Sequence, residues 1–230
     1  ALAVLTQVVW VVVGWRLHRA LSTGLSVCEH ASDDIEEDQV SIIVPAHNEA
    51  SRVGEVVSSI PDRVEGMRVI PVVVDDGSHD DTSGIACRAG AYVIRHVKNL
   101  GVGAATRTGL KAAETLNADF IVTMDADGQH DSCDLSPLLR CADHGQYDVV
   151  IGNRMSSGKG MPPSRIFANW LLNAITFITY RGTVTDSQSG FKCFSRSALA
   201  VMELKADGYD ICSEIVGEIF SKRLRYKSIA

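Results

Sequence analysis

Short apolar runs, each separated from the next by a segment of helical period, constrain this chain more than any other feature. Residues 40–45, 69–74, 92–97, 120–124 and 147–151 read as strands. Within 49–60, Val53, Val56, Val57 and Ile60 recur at helical spacing, and Pro61 stops the run. Residues 82–89, the alanine-rich 103–116 and 135–142 supply further helices. Strands that are apolar throughout offer no face to water. Alternating with helices, they imply an α/β protein with a mostly parallel sheet covered on both sides. Ligands of such sheets gather beyond the carboxyl ends of the strands. The polar segments there are 45–49, 75–81, 125–130 and 152–154.

The fourth strand empties directly into Asp125, Ala126, Asp127, Gly128, Gln129 and His130. Successive strand side chains alternate faces, so extended backbone past Met124 would turn Asp125, Asp127 and Gln129 the same way. Three converging oxygens suit a hard divalent cation. Asp and Gly also form ordinary acidic turns, but a second acidic cluster favours the cation. That cluster is Asp75 and Asp76, with Asp80, Asp81 and Thr82 behind them. Asp81 or Thr82 has an ordinary use as a helix cap. Adjacent carboxylates at a buried strand end repel unless a cation or hydrogen-bond donors receive them.

Composition narrows the class. The chain has 230 residues, 46% hydrophobic and 22% charged, which describes a globular domain. A net charge of −6 without a basic stripe argues against a nucleic-acid binder. Six widely spaced cysteines, none in a C-x-x-C pair, fit neither a zinc site nor a small disulfide scaffold, and reduced thiols are expected. Residues 1–15 are apolar apart from Thr6, Gln7 and Gly14, and Arg16, His18 and Arg19 follow. A spanning helix needs about 20 apolar residues. Charge placed after the apolar run is the reverse of a signal peptide. The expectation is a membrane anchor over 1–21, complete or truncated, with the rest of the chain on the cytoplasmic side. An acidic linker over 22–39 and a catalytic domain over 40–230 follow.

The segments Val44-Pro45-Ala46-His47-Asn48-Glu49, Asp75-Asp76-Gly77-Ser78 and Asp125-Ala126-Asp127 together resemble the family 2 glycosyltransferases of GT-A fold. The segments at 99–105, Gly152-Asn153-Arg154 and 186–191, with Glu214 in a late helix, extend the likeness toward the polyprenyl-phosphate sugar transferases, the dolichol-phosphate mannose synthases among them. The resemblance covers residues 40–230. It implies that Pro45, His47, Glu49 and Asp76 line a nucleotide pocket, with Ala126 and Gly190 also at the substrate. It implies that Asp125, Asp127 and Gln129 hold Mg²⁺ or Mn²⁺ on the donor diphosphate. Arg154 and Arg165 would meet phosphates of donor and acceptor, and with Asp127 they form the expected catalytic set. His47 stands where mannose synthases commonly carry tyrosine, and Gly128 where they carry leucine, so mannose is not to be assumed as the donor sugar.

The chemistry is consistent with this resemblance. A nucleotide-sugar diphosphate leaves readily once a cation neutralises it. A phosphate monoester, with a second pKa near 6, is largely dianionic at neutral pH. Such a nucleophile needs positioning by arginine more than a general base, and no Ser/His or Cys/His pair is evident. In-line attack would invert the anomeric centre. Residues 164–180 leave almost no polar face, which suits burial or an interfacial helix meeting a polyprenyl chain. Three other readings compete. Gly101-Val102-Gly103 lacks the third glycine of a dinucleotide fingerprint. A nucleotidyltransferase would usually carry a glycine-rich basic loop near 45–52. An inactive sugar-nucleotide-binding protein at the membrane would look alike in sequence.

Overall fold

The computed structural model describes residues 38–126, 134–152 and 189–229, and the backbone of 26–28. The strands are β1 (Ser26–Cys28), β2 (Gln39–Ala46), β3 (Arg63–Val64), β4 (Met67–Asp75), β5 (Tyr92–Arg95), β6 (Phe120–Thr123), β7 (Val149–Gly152), β8 (Lys192–Ser195) and β9 (Tyr226–Ile229). The helices are α1 (Val53–Ser59), α2 (Thr82–Arg88), α3 (Val102–Thr115), α4 (Leu135–Gly145), α5 (Arg196–Leu199) and α6 (Ile211–Ser221). All nine strands form one sheet, eight of them in the order β1-β5-β4-β2-β6-β8-β7-β9, with β3 paired antiparallel to β4 off this path.

The parallel sheet expected from the apolar runs is present in β5-β4-β2-β6. The sheet as a whole is mixed, which corrects the expectation of a mostly parallel one. β8 runs antiparallel between β6 and β7, and β1 runs antiparallel along β5. The reversal escapes the sequence because β8 is four residues, KCFS, with a lysine inside it. β1 also places an edge strand inside the segment read as linker.

Two apolar layers flank the sheet. Ile42, Val44, Val73 and Val122 pack one face against α1, α2 and α4, and Leu135, Leu138 and Leu139 are fully buried there. Ile43, Val72, Val74 and Ile121 pack the other face against α3 and α6, with Leu110, Ile215 and Ile219. Burying each such side chain contributes roughly 1.5–3 kcal/mol. Gly109 of α3 lets this helix lie on the sheet, since a Cβ there would collide with the Ile43 side chain.

Cys87 on α2 is disulfide-bonded, which overturns the expectation of reduced thiols at that position. Wide spacing in sequence does not by itself exclude a disulfide. Cys141, Cys193 and Cys212 are free, and burial pushes the Cys193 thiol far above its ordinary pKa. Among the described residues no helix is long and apolar enough to cross a membrane. The anchor expected over 1–21 and the apolar helix expected over 164–180 lie outside the described residues.

Candidate active site

The carboxyl ends of β4, β2 and β6 lie side by side, with Ala46 opposite Asp75 and Ile43 opposite Thr123. The chain leaving each strand therefore enters the same edge. Asp76 N donates to Ala46 O at 2.8 Å, and Met124 N to Ile43 O at 2.9 Å, so strand pairing persists just past the assigned ends.

The two adjacent carboxylates at the end of β4 are received separately. Asp75, fully buried, accepts hydrogen bonds from Ser78 N at 2.8 Å and from the Ser83 hydroxyl, with Arg95 Nε 3.6 Å away. Asp76, 3% exposed, accepts from Leu100 N at 2.9 Å, Gly101 N at 2.7 Å and His96 Nδ1 at 2.7 Å. Hydrogen bonding to the charged form and division between two donor sets offset their mutual repulsion. Asp76 thus joins the β4 loop to the turn before α3. His96 is a hydrogen-bonder here, as histidines beside a hard-cation site are expected to be, and its buried ring bridges Asp76 and Thr108, the latter at 3.0 Å.

The β2 loop is tied to the β4 loop as tightly. His47 Nδ1 donates to Asp76 O at 2.8 Å, which leaves Nε2 to accept from the Asn48 amide at 3.0 Å and assigns the neutral tautomer. Asn48 adopts φ 56°, a left-handed conformation that Asn tolerates. From there Asn48 N donates to Ser78 Oγ, and its side-chain oxygen accepts from His79 N, both at 2.8 Å. Glu49 N donates to Thr82 Oγ1 and Ala50 N to Asp80. The hydrogen bond from Thr82, and after it those from backbone N–H groups, hold the Asp80 carboxyl below the ordinary 3.8. Asp81 starts α2 without a side-chain cap bond and pairs instead with Arg88.

Asp125 follows β6 on the edge reached by Pro45 of β2 and by Gly190. A Cβ at Gly190 would stand 2.5 Å from one Asp125 carboxylate oxygen and 2.7 Å from its Cγ, so this glycine makes the space that the carboxylate fills. Thr123 fixes the same loop by donating its hydroxyl to Gly190 O at 2.7 Å. Pro45, Asp125 and Gly190 line one cavity of about 130 Å³ together with Thr106, Thr123, Lys192 and residues of α6. Ala126 packs its side chain into the core beside α4, so it can offer a ligand only its backbone. Asp127, Gln129, Arg154 and Arg165 lie outside the described residues. Among the described residues no three acidic, histidine or cysteine side chains gather as a metal cluster. Among the described residues the site offers one carboxylate, Asp125, the oxygen-donor type that suits a hard cation.

The amino terminus of α3 is not an anion site. Gly103 N and Ala104 N both donate to Asp207 O, at 2.8 and 3.1 Å. A Cβ at Gly103 would meet Ala206 O at 2.6 Å, and Gly101 abuts the same segment. The glycines near 101–103 therefore serve close packing, which disposes of a dinucleotide reading. Glu214 of α6 straps that segment from the other side, accepting from Lys205 N at 2.9 Å and Ala206 N at 2.8 Å.

The profile of a family described as "Glycosyl transferase family 2" matches residues 41–202. A UDP-N-acetylglucosamine–dolichyl-phosphate N-acetylglucosaminyltransferase of Methanococcus voltae is 36% identical over 197 residues, 76% of this chain and 77% of that protein. A dolichol-phosphate mannosyltransferase of Pyrococcus furiosus is 30% identical over 188 residues, 77% of this chain and 52% of that protein. Among solved structures, glucosyl-3-phosphoglycerate synthase from Mycobacterium tuberculosis in complex with Mn²⁺, UDP and glucosyl-3-phosphoglycerate superposes with a TM-score of 0.67. It is 23% identical, and the match covers 87% of this chain and 75% of that one. At that identity the likeness establishes the fold.

Proposed function

The chain belongs to glycosyl transferase family 2, and from that membership we propose that it moves a sugar from a nucleotide-sugar donor, GDP- or UDP-linked, to a polyprenyl phosphate such as dolichyl or undecaprenyl phosphate. The observation that carries the reading is the placement of Asp125. It sits against Gly190 at the strand edge where the β2 and β4 loops form a hydrogen-bonded wall. Two relatives whose names specify dolichyl phosphate acceptors support the acceptor class.

Asp125, with Asp127 and Gln129, would hold Mg²⁺ or Mn²⁺. A bound cation supplies the charge that offsets the departing diphosphate. The chain's own residues do the rest. The β2 loop, through Pro45, His47 and Glu49, and the β4 loop, through Asp76, form the nucleotide wall. Arg154 and Arg165 orient the acceptor phosphate, whose dianion needs no general base. The attack is in line and inverts the anomeric carbon, which NMR of the product's anomeric proton tests. The segment 1–21, an apolar run over 1–15 with Arg16 and Arg19 behind it, holds the domain at the cytoplasmic face of a membrane.

A second reading has one specific observation in its favour. The similar fold of a synthase named for 3-phosphoglycerate points to a small soluble phosphate as acceptor. Incubation with UDP-N-acetylglucosamine or GDP-mannose, Mn²⁺ and either polyprenyl phosphate or 3-phosphoglycerate separates the two. Transfer to the lipid supports the proposal, and transfer to phosphoglycerate alone refutes it.

A further inference from the structure

Lys192 lies in the middle of an otherwise apolar stretch, Phe191-Lys192-Cys193-Phe194. It is 1% exposed. Among the described residues its ammonium has one hydrogen-bond partner, the carbonyl of Ser189. An ammonium has three protons to donate. A buried cation left short of partners is costly, so an acceptor brought to this nitrogen by a ligand would be favoured. Lys192 pairs with Thr123 across β6 and β8. Both line the cavity of about 130 Å³ that also reaches Asp125 and Gly190.

The order of strands gives this cavity its place. The sheet runs β4-β2-β6-β8. The loops after β4 and β2 form the wall assigned to the nucleoside. Asp125, after β6, is assigned to the diphosphate through its cation. The cavity lies against β6 and β8, with Pro45 of β2, Thr106 of α3 and Cys212 of α6 closing it, and Asp125 is one of its walls. A nucleotide sugar joins nucleoside, diphosphate and sugar in that order, so a diphosphate at Asp125 leaves the sugar within reach of this cavity. The mostly apolar walls from Pro45, Cys212 and Ile215 would take a sugar-ring face, and only a hydrogen-bond acceptor would satisfy the lysine.

Resting on the donor reading above, we propose that Lys192 is a donor-binding residue whose buried ammonium takes an oxygen of the transferred sugar in the cavity against β6 and β8. Calorimetric titration of the full chain, in Mn²⁺, with UDP-N-acetylglucosamine and GDP-mannose, and with UDP and GDP, tests it. Lys192→Met is expected to weaken the preferred nucleotide sugar about tenfold to a hundredfold, the loss of one hydrogen bond to a charged donor, while the parent nucleoside diphosphate binds as before. A lysine that merely supports the fold would lower thermal stability without splitting the two ligands. Equal affinity of wild type and Lys192→Met for the nucleotide sugar overturns the assignment. Wild type that binds neither nucleotide sugar overturns the donor reading, and this assignment with it. Should Lys192→Met fail to fold, Cys212→Met, which narrows the cavity from α6, decides: the same split supports the assignment, and unchanged nucleotide-sugar affinity refutes it.

Discussion

Gly190→Ala should separate activity from stability. The added Cβ would stand 2.5 Å from one Asp125 oxygen, whereas ordinary Cβ contacts begin near 3.4 Å. The other oxygen is nearer still, so the carboxylate must move by roughly 1.1 Å. The glycine backbone is held by Thr123 at 2.7 Å, and its strand by Gly152 N donating to Phe191 O at 2.9 Å. The carboxylate, as the end of a short side chain, is the part that gives. Turning it off its rotamer costs about 0.5–1.5 kcal/mol, which for a chain of this size lowers Tm by only about 1–6 °C. A displacement of order 1 Å at a positioning group costs about 10²-fold in rate. The assay is Mn²⁺-dependent transfer at saturating donor, run beside thermal unfolding. Activity within about twofold of wild type would refute the argument that Gly190 exists to seat Asp125. A loss of Tm far above about 6 °C would also refute it, by showing that the backbone had moved instead.

Asp76→Ala strands the donors Leu100 N, Gly101 N and His96 Nδ1, and should cost about 3 kcal/mol in urea unfolding while weakening nucleotide binding. Gly103→Ala forces a Cβ against Ala206 O; since that neighbour is backbone, it should destabilise by about 1–3 kcal/mol. Asp80, whose folded pKa is depressed chiefly by the Thr82 hydroxyl, contributes stability that is complete above the ordinary 3.8 and lost as pH falls through the lower folded value. Because Asp80 is exposed, Asp80→Asn should cost under about 1 kcal/mol at pH 7. That difference should shrink when unfolding is measured well below pH 3.8.

The four parallel strands were legible because β2, β4, β5 and β6 are buried on both faces and carry continuous apolar runs. The edge where the polar loops gather followed from that alone. Met124 and Asp125 both line the cavity there, while Asp127 and Gln129, expected to turn with Asp125, lie outside the described residues. β8 was not legible, since four residues with a buried lysine have no period to read. The partners of Asp75 and Asp76 were also hidden. Sequence marks two carboxylates that need donors, but Ser83, His96, Leu100 and Gly101 reach them only through loop geometry. The one trace of Lys192 was a lone charge inside an apolar tetrapeptide. Asn99 to Ala105 and Glu214 carried the family resemblance, and in the structure Gly103, Ala104 and Glu214 hold the backbone of residues 205–207.

The central claim is that a sugar passes from a nucleotide to a lipid monophosphate at Asp125. Its most direct test is nucleoside diphosphate release by the full chain with Mn²⁺, a nucleotide sugar and polyprenyl phosphate, run beside Asp125→Ala. Release is expected only when the lipid phosphate and the cation are both present, with a radiolabelled sugar appearing on the lipid and both signals lost in the variant. Release that ignores the lipid phosphate, or undiminished transfer by Asp125→Ala, would contradict it.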